Sequence, residues 1–158
     1  MANVPRILIV DDEPGVAVTL QAVLEQEGYQ VMAALTAAEA QRLIASHTFD
    51  AALLDVRIDE ADGLDLLAEL RERQPDCGAI MLTGYASLES AVRAIRHGAY
   101  DYLTKPCDLE ELKLTVARAV ERAMLTRQLK ERLAELEQAN ATIRALNEDL
   151  QRRVEAAT

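Results

Sequence analysis

The stretch Ile7-Leu8-Ile9-Val10-Asp11-Asp12-Glu13 sets four apolar residues directly against three acidic ones. Four apolar residues in a row, without alternation, fit a short strand buried on both faces. Val16, Leu20, Val23 and Leu24 then recur at helical spacing until Gly28 stops the run. The same unit repeats along the chain. Tyr29 to Ala33 predicts a second strand and Ala51-Ala52-Leu53-Leu54 a third. Between them lies a helix with Ala40, Leu43 and Ile44 on one face, opened by the capping box of Thr36 and Glu39. Leu64, Leu67 and Leu70 mark a third helix ending near Pro75, and Ala79-Ile80-Met81-Leu82 is a fourth strand. Leu88, Ala91, Val92 and Ile95 mark a helix closed by Gly98, before a fifth strand at Tyr100-Asp101-Tyr102-Leu103.

Apolar strands alternating with helices predict an α/β fold, a parallel sheet covered on both sides. In such sheets a ligand site lies beyond the carboxyl ends of the strands. Those ends carry Asp11 and Asp12, then Asp55, then Thr83, and Lys105-Pro106 follows the fifth strand. Singly, each is ordinary: an acidic pair caps a helix, Thr83-Gly84 makes a turn, and Lys105-Pro106 makes a loop. Jointly, three carboxylates, a hydroxyl and an ammonium converge on one sheet edge.

That set suits phosphoryl transfer to a carboxylate. Clustered carboxylates repel one another and call for a hard divalent cation such as Mg²⁺. Transfer spreads charge over three equatorial oxygens, so the work lies in positioning a nucleophile and neutralising those oxygens. Asp55 is the candidate nucleophile. Asp12 and Asp55 would hold Mg²⁺, with Asp11 orienting a metal-bound water. Lys105 would meet a second phosphoryl oxygen, and the Thr83 hydroxyl or nearby backbone N–H groups the third.

From Asp108, which with Glu111 can cap a helix, the chain contains neither Gly nor Pro. Leu129, Leu133, Leu136, Asn140, Ile143, Asn147, Leu150 and Val154 alternate in steps of four and three. This is the seam of a coiled coil, and asparagine in a seam favours a defined register, often that of a parallel dimer. The expected division is a domain over residues 1–122 and a coiled-coil extension over 123–158, continuous with the last helix of that domain.

Composition narrows the classes. The 158-residue chain has a formal net charge of -10 and 3% aromatic residues, so its core must be aliphatic. Met1 to Cys107 carries 8 Lys/Arg against 17 Asp/Glu, whereas Asp108 to Thr158 carries 9 against 10. An acidic domain argues against direct binding to nucleic acid or anionic lipid. No apolar run approaches the roughly 20 residues that cross a bilayer. With no signal-peptide layout at the N-terminus and only Cys77 and Cys107 as thiols, the expected location is the cytoplasm.

Ile7 to Glu13, Leu53-Leu54-Asp55-Val56-Arg57, Met81-Leu82-Thr83-Gly84 and Asp101-Tyr102-Leu103-Thr104-Lys105-Pro106 together resemble the receiver domains of two-component response regulators. Asp62-Gly63-Leu64 and Gly98-Ala99-Tyr100-Asp101-Tyr102 also fit, and the likeness runs from about residue 5 to residue 120. It implies a doubly wound, flavodoxin-like sheet in the order 2-1-3-4-5, a histidine kinase or histidine phosphotransfer protein as phosphodonor, and Asp55 as acceptor. It further implies the backbone carbonyl of Arg57 as a metal ligand beside Asp11, Asp12 and Asp55, a cis Lys105-Pro106 bond, and Thr83 and Tyr102 as switch residues. Arg57 and Tyr85 would flank the path of attacking water.

Some positions depart from the family pattern. Asp59 stands where a proline is usual, and Cys107 where a bulky apolar residue is usual. His47 and His97 read as surface or capping residues. Two other readings compete: a receiver-like scaffold that ignores phosphate, and an aspartyl-phosphate hydrolase. The complete acidic, hydroxyl and ammonium set weighs against the first. Arg57, where the hydrolase would need a second acid, weighs against the second, so the chain is expected to act only on itself. The stretch from Arg144 to Glu155 resembles helical connectors that precede sensor or kinase domains, which points to a fragment of a longer protein.

Overall fold

The computed structural model describes residues 4–58, 61–84 and 88–157. Its main sheet has strands β1 (Arg6–Val10), β2 (Gln30–Ala34), β3 (Ala51–Asp55), β4 (Gly78–Thr83) and β5 (Asp101–Thr104). All are parallel, in the order β2-β1-β3-β4-β5. This is the expected doubly wound sheet. A two-residue antiparallel ribbon, Arg57–Ile58 against Ala61–Asp62, was not anticipated from the sequence and stands apart from it.

The strand pleat divides the core. Leu8 and Val10 of β1, Ala52 and Leu54 of β3, and Ala79 and Met81 of β4 join one buried cluster. On that side lie α2 (Ala37–Ser46), α3 (Gly63–Arg73) and α4 (Leu88–Arg96). The alternate residues Ile7, Ile9, Ala51, Leu53, Ile80 and Leu82 join a second cluster with α1 (Pro14–Gln26) and the first turns of α5 (Leu109–Ala157). Period-two alternation of side chains thus gives both faces an apolar surface. Among the described residues Phe49 is the largest fully buried side chain, and the rest of the buried core is aliphatic apart from Cys77 and Met81. At the start of β4 a Cβ on Gly78 would lie 2.8 Å from the Cβ of Ala119, so α5 seats there at near-backbone distance.

Helix ends follow local chemistry. Gly28 and Gly98 close α1 and α4 with φ of 92° and 97°, the left-handed region that glycine enters without penalty. Thr36 accepts from the Glu39 N–H at 3.1 Å as expected, but the Glu39 carboxylate reaches back to the N–H of Leu35 rather than that of Thr36. Asp108 accepts from the Glu110 N–H at 2.8 Å and so caps α5. In α4 the apolar pattern marks the helix but not its buried face: Ala94 is buried, while Val92 and Ile95 are exposed.

The chain divides into two compact units, Met1–Met124 and Leu125–Thr158. Among the described residues the second contains only the later turns of α5. No helix of the described residues is long and apolar enough to cross a membrane.

Candidate functional site

Parallel register brings the strand ends level. Val10 pairs with Leu54, Asp55 with Leu82, and Thr83 with Thr104. Asp11 follows β1 directly, Asp55 ends β3, Thr83 ends β4, and Lys105 follows β5. The Lys105 N–H donates to the Thr83 carbonyl at 2.6 Å, continuing the β4–β5 ladder into the site. The Lys105-Pro106 bond is cis.

Lys105 joins two carboxylates from different strands. Its Nζ lies 2.5 Å from Asp11 Oδ2 and 3.0 Å from Asp55 Oδ2. The other oxygens are also engaged: Asp11 Oδ1 accepts from the Glu13 N–H at 2.9 Å, and Asp55 Oδ1 from the Arg57 N–H at 3.2 Å. Asp11, Asp55 and Thr83 are buried, and Asp12 is half-buried. Each of Asp11, Asp12 and Asp55 offers a carboxylate oxygen within 4.8 Å of the others. Three carboxylates at that spacing fit a hard, oxygen-loving cation such as Mg²⁺.

The electrostatics reflect crowding and burial. Burial pushes the Asp55 carboxyl above its usual range, and the Asp11 charge adds to this; Lys105 and the Arg57 N–H oppose it without cancelling it. Burial alone would lower the Lys105 ammonium, but the hydrogen bonds and charges of Asp11 and Asp55 outweigh it and hold it above the ordinary lysine value.

Beyond Asp55 the chain is fixed by a contact whose steric reason sequence reasoning missed. A Cβ on Gly63 would lie 2.1 Å from the Asp55 carbonyl oxygen, a distance no side chain tolerates. The Gly63 N–H donates to the Val56 carbonyl at 2.7 Å, and the Val56 N–H to Leu82 of β4 at 2.9 Å. Asp62 caps α3 through the Leu64 N–H at 2.9 Å. The Asp-Gly dipeptide was the only signal in the sequence, and it does not disclose its target.

The remaining expected residues fall as follows. Arg57 is exposed on the ribbon, paired with Asp62. Tyr102 lies opposite Met81 on β5 and packs, half-buried, on the cluster beneath α2, α3 and α4. Cys107 is half-buried against the opposite cluster. His47 caps the end of α2, and the His97 ring meets the Arg93 carbonyl at the end of α4. Asp59 and Tyr85 lie outside the described residues.

Residues 7–117 match the family described as the response regulator receiver domain. The alginate biosynthesis transcriptional regulatory protein AlgB of Pseudomonas putida is 42% identical over 135 residues, which are 85% of this chain and 29% of that protein. The chain therefore spans under a third of the length of that curated relative. A response regulator from Burkholderia pseudomallei, solved with a phosphorylated aspartic acid, a calcium ion and citrate, is 33% identical with a TM-score of 0.69, covering 80% of this chain and 74% of that one. The beryllofluoride-activated NtrC4 receiver domain dimer is 39% identical with a TM-score of 0.71, covering 75% and 98%.

Proposed function

Since the chain belongs to the response regulator receiver domain family, we propose that it takes a phosphoryl group on Asp55 from a histidine kinase or histidine phosphotransfer protein. A carboxylate oxygen of Asp55 attacks phosphorus, the P–N bond of the donor phosphohistidine breaks, and the imidazole leaves. The observation that carries this reading is the Lys105 ammonium shared by Asp11 and Asp55 beside a third carboxylate, Asp12. Asp55 is held in line by the bond to the Arg57 N–H and by the close seat of Gly63. Lys105 exchanges one carboxylate contact for a phosphoryl oxygen, and Thr83 from the neighbouring strand end bonds another.

Asp11, Asp12 and Asp55, with the backbone carbonyl of Arg57, would hold Mg²⁺. Bound there, it supplies positive charge against one phosphoryl oxygen. A relative solved with both a phosphorylated aspartic acid and a calcium ion supports a divalent cation as part of this reading. Catalysis is confined to the chain's own phosphorylation and dephosphorylation, with no separate substrate turned over. Neither Cys77 nor Cys107 is in a disulfide, in keeping with a cytoplasmic protein.

The signal leaves through α5. Phosphorylation draws Thr83 inward, Tyr102 turns on the neighbouring strand, and the change biases a parallel homodimer formed by the tail of α5 or a module coupled to it. The dimeric relative supports pairing as a mode of output. The test is intact mass after acetyl phosphate and Mg²⁺, on wild type and Asp55→Asn, with molar mass by light scattering. One phosphate on the wild type and none on the variant is expected. No phosphate on either, and no response to beryllofluoride, would leave a scaffold.

A further inference from the structure

We infer that the tail of α5 carries two overlapping seams for a second, parallel copy of this chain, and that the pair exchanges between them by local rotation. This rests on the pairing proposed above. The first seam is Leu129, Leu133, Leu136, Asn140, Ile143, Asn147, Leu150 and Val154, in steps of 4-3-4-3-4-3-4. Replacing Asn140 by Ala139 and Asn147 by Leu146 gives a second, wholly apolar seam in steps of 4-3-3-4-3-4-4. The two begin and end on the same residues and differ at two positions only. Leu146, which the first seam leaves aside, is 58% exposed, as are Leu129 at 61% and Leu150 at 57%.

The occupant is a second copy because the stripe is self-complementary. A parallel, in-register copy sets Asn140 against Asn140 and Asn147 against Asn147, where the amides satisfy one another. An antiparallel copy would face them with leucine or isoleucine. In the first seam Arg132 and Glu137 flank the core in the positions that meet across a parallel pair, bringing opposite charges together.

Each seam has one advantage and one cost. The first keeps a regular heptad and buries paired amides. The second buries Ala139 and Leu146 and leaves the amides to water. Its 3-3 step at Leu133-Leu136-Ala139 overwinds the supercoil, and its 4-4 step at Leu146-Leu150-Val154 unwinds it. At 100° per residue the seam centres lie roughly 50° apart around the helix. The shared leucines stay at the interface in both, so exchange needs no dissociation.

The experiment is disulfide trapping in the full chain carrying Cys107→Ser, with Cys77 left buried in the core. Single cysteines are placed at Leu136, Ala139, Asn140, Leu146 and Asn147, oxidised, and followed by non-reducing electrophoresis and molar mass. Ala139→Cys and Leu146→Cys leave both asparagines in place and report the second seam directly. The expected result is rapid linking at 136 and linking above background at all four other positions, as for two states populated at a few per cent or more. Adding Asn140→Leu and Asn147→Leu should suppress linking at 139 and 146 by roughly tenfold or more, because the first seam is then wholly apolar. Linking confined to one pair of positions, 140 and 147 or 139 and 146, overturns the inference while leaving the dimer. A monomer that links nowhere, 136 included, removes the pairing itself and the inference with it.

Discussion

The backbone N–H of Lys105 is bonded to the backbone carbonyl of Thr83 at 2.6 Å. The hydroxyl and the ammonium assigned to the phosphoryl oxygens thus come from neighbouring strand ends joined by a ladder bond. Asp55 ends the next strand in the sheet, and its Oδ2 lies 3.0 Å from the Lys105 ammonium.

Removing the ammonium should expose the cost of the acidic cluster. Lys105→Ala leaves Asp11 fully buried without its partner, and Asp55 nearly so. A loss of about 2 kcal/mol is expected, below the 3–5 kcal/mol of a fully buried pair because Lys105 itself is partly exposed. Thermal melts with and without Mg²⁺ would check this, the variant gaining more from the cation than the wild type. Equal gains would mean that Lys105 does not relieve the cluster.

Gly63→Ala should damage both the fold and the acceptor. A methyl group 2.1 Å from the Asp55 carbonyl oxygen must push the end of β3 or the start of α3 aside. The expected cost is about 2–4 kcal/mol in denaturant unfolding, in the range of strained or overpacked sites. Phosphate uptake from acetyl phosphate, measured on the folded fraction, should fall as well. A variant that unfolds at the wild-type midpoint would contradict the contact.

The raised Asp55 carboxyl gives a pH signature in metal-free protein. The folded chain holds that proton more tightly than the unfolded chain. Its stabilising contribution is therefore complete below the ordinary carboxylate value of about 3.9, and is lost as pH rises through the raised folded value. Asp55→Asn, which never takes the charge, should be the more stable protein at neutral pH without divalent cations. The difference should shrink toward acid. A variant less stable than wild type at neutral pH would reverse the sign and refute the assignment.

Gln74 ties the opposite end of the sheet. Its side-chain carbonyl accepts from the Phe49 N–H at 2.8 Å, and its amide nitrogen donates to Ile44 at 2.8 Å and His47 at 2.7 Å. Gln74→Ala should cost about 1–3 kcal/mol by leaving these backbone groups unpaired. Phosphorylation of the folded protein should be unchanged, since the site lies at the other strand ends. Slower phosphorylation by the same intact-mass assay would show coupling through β3.

The strands were legible because β1, β3 and β4 are buried on both sides, which leaves a plain apolar run followed by a polar residue at the site. Asp11, Asp12, Asp55 and Thr83 could be placed for the same reason, whereas Lys105 follows the partly buried β5. Packing that depends on a specific neighbour was not legible. Val92 and Ile95 mark α4 by spacing, yet Ala94 faces the core, since residue type alone does not say which stripe the sheet will cover. Glu39 is a sound capping residue whose bond went one residue early, to Leu35. Gly63 looks like a turn glycine until the Asp55 carbonyl is found beside it.

The meeting of Gly78 with Ala119 gives β4 the character of a beam with two bearings. One end rests on α5, where a single added methyl group has no room. The other ends in Thr83, at the edge where the carboxylates gather. Four residues separate a mechanical seat from a chemical one. The sizes of two side chains at 78 and 119, neither of them polar, therefore decide how stiffly the helix answers to the strand.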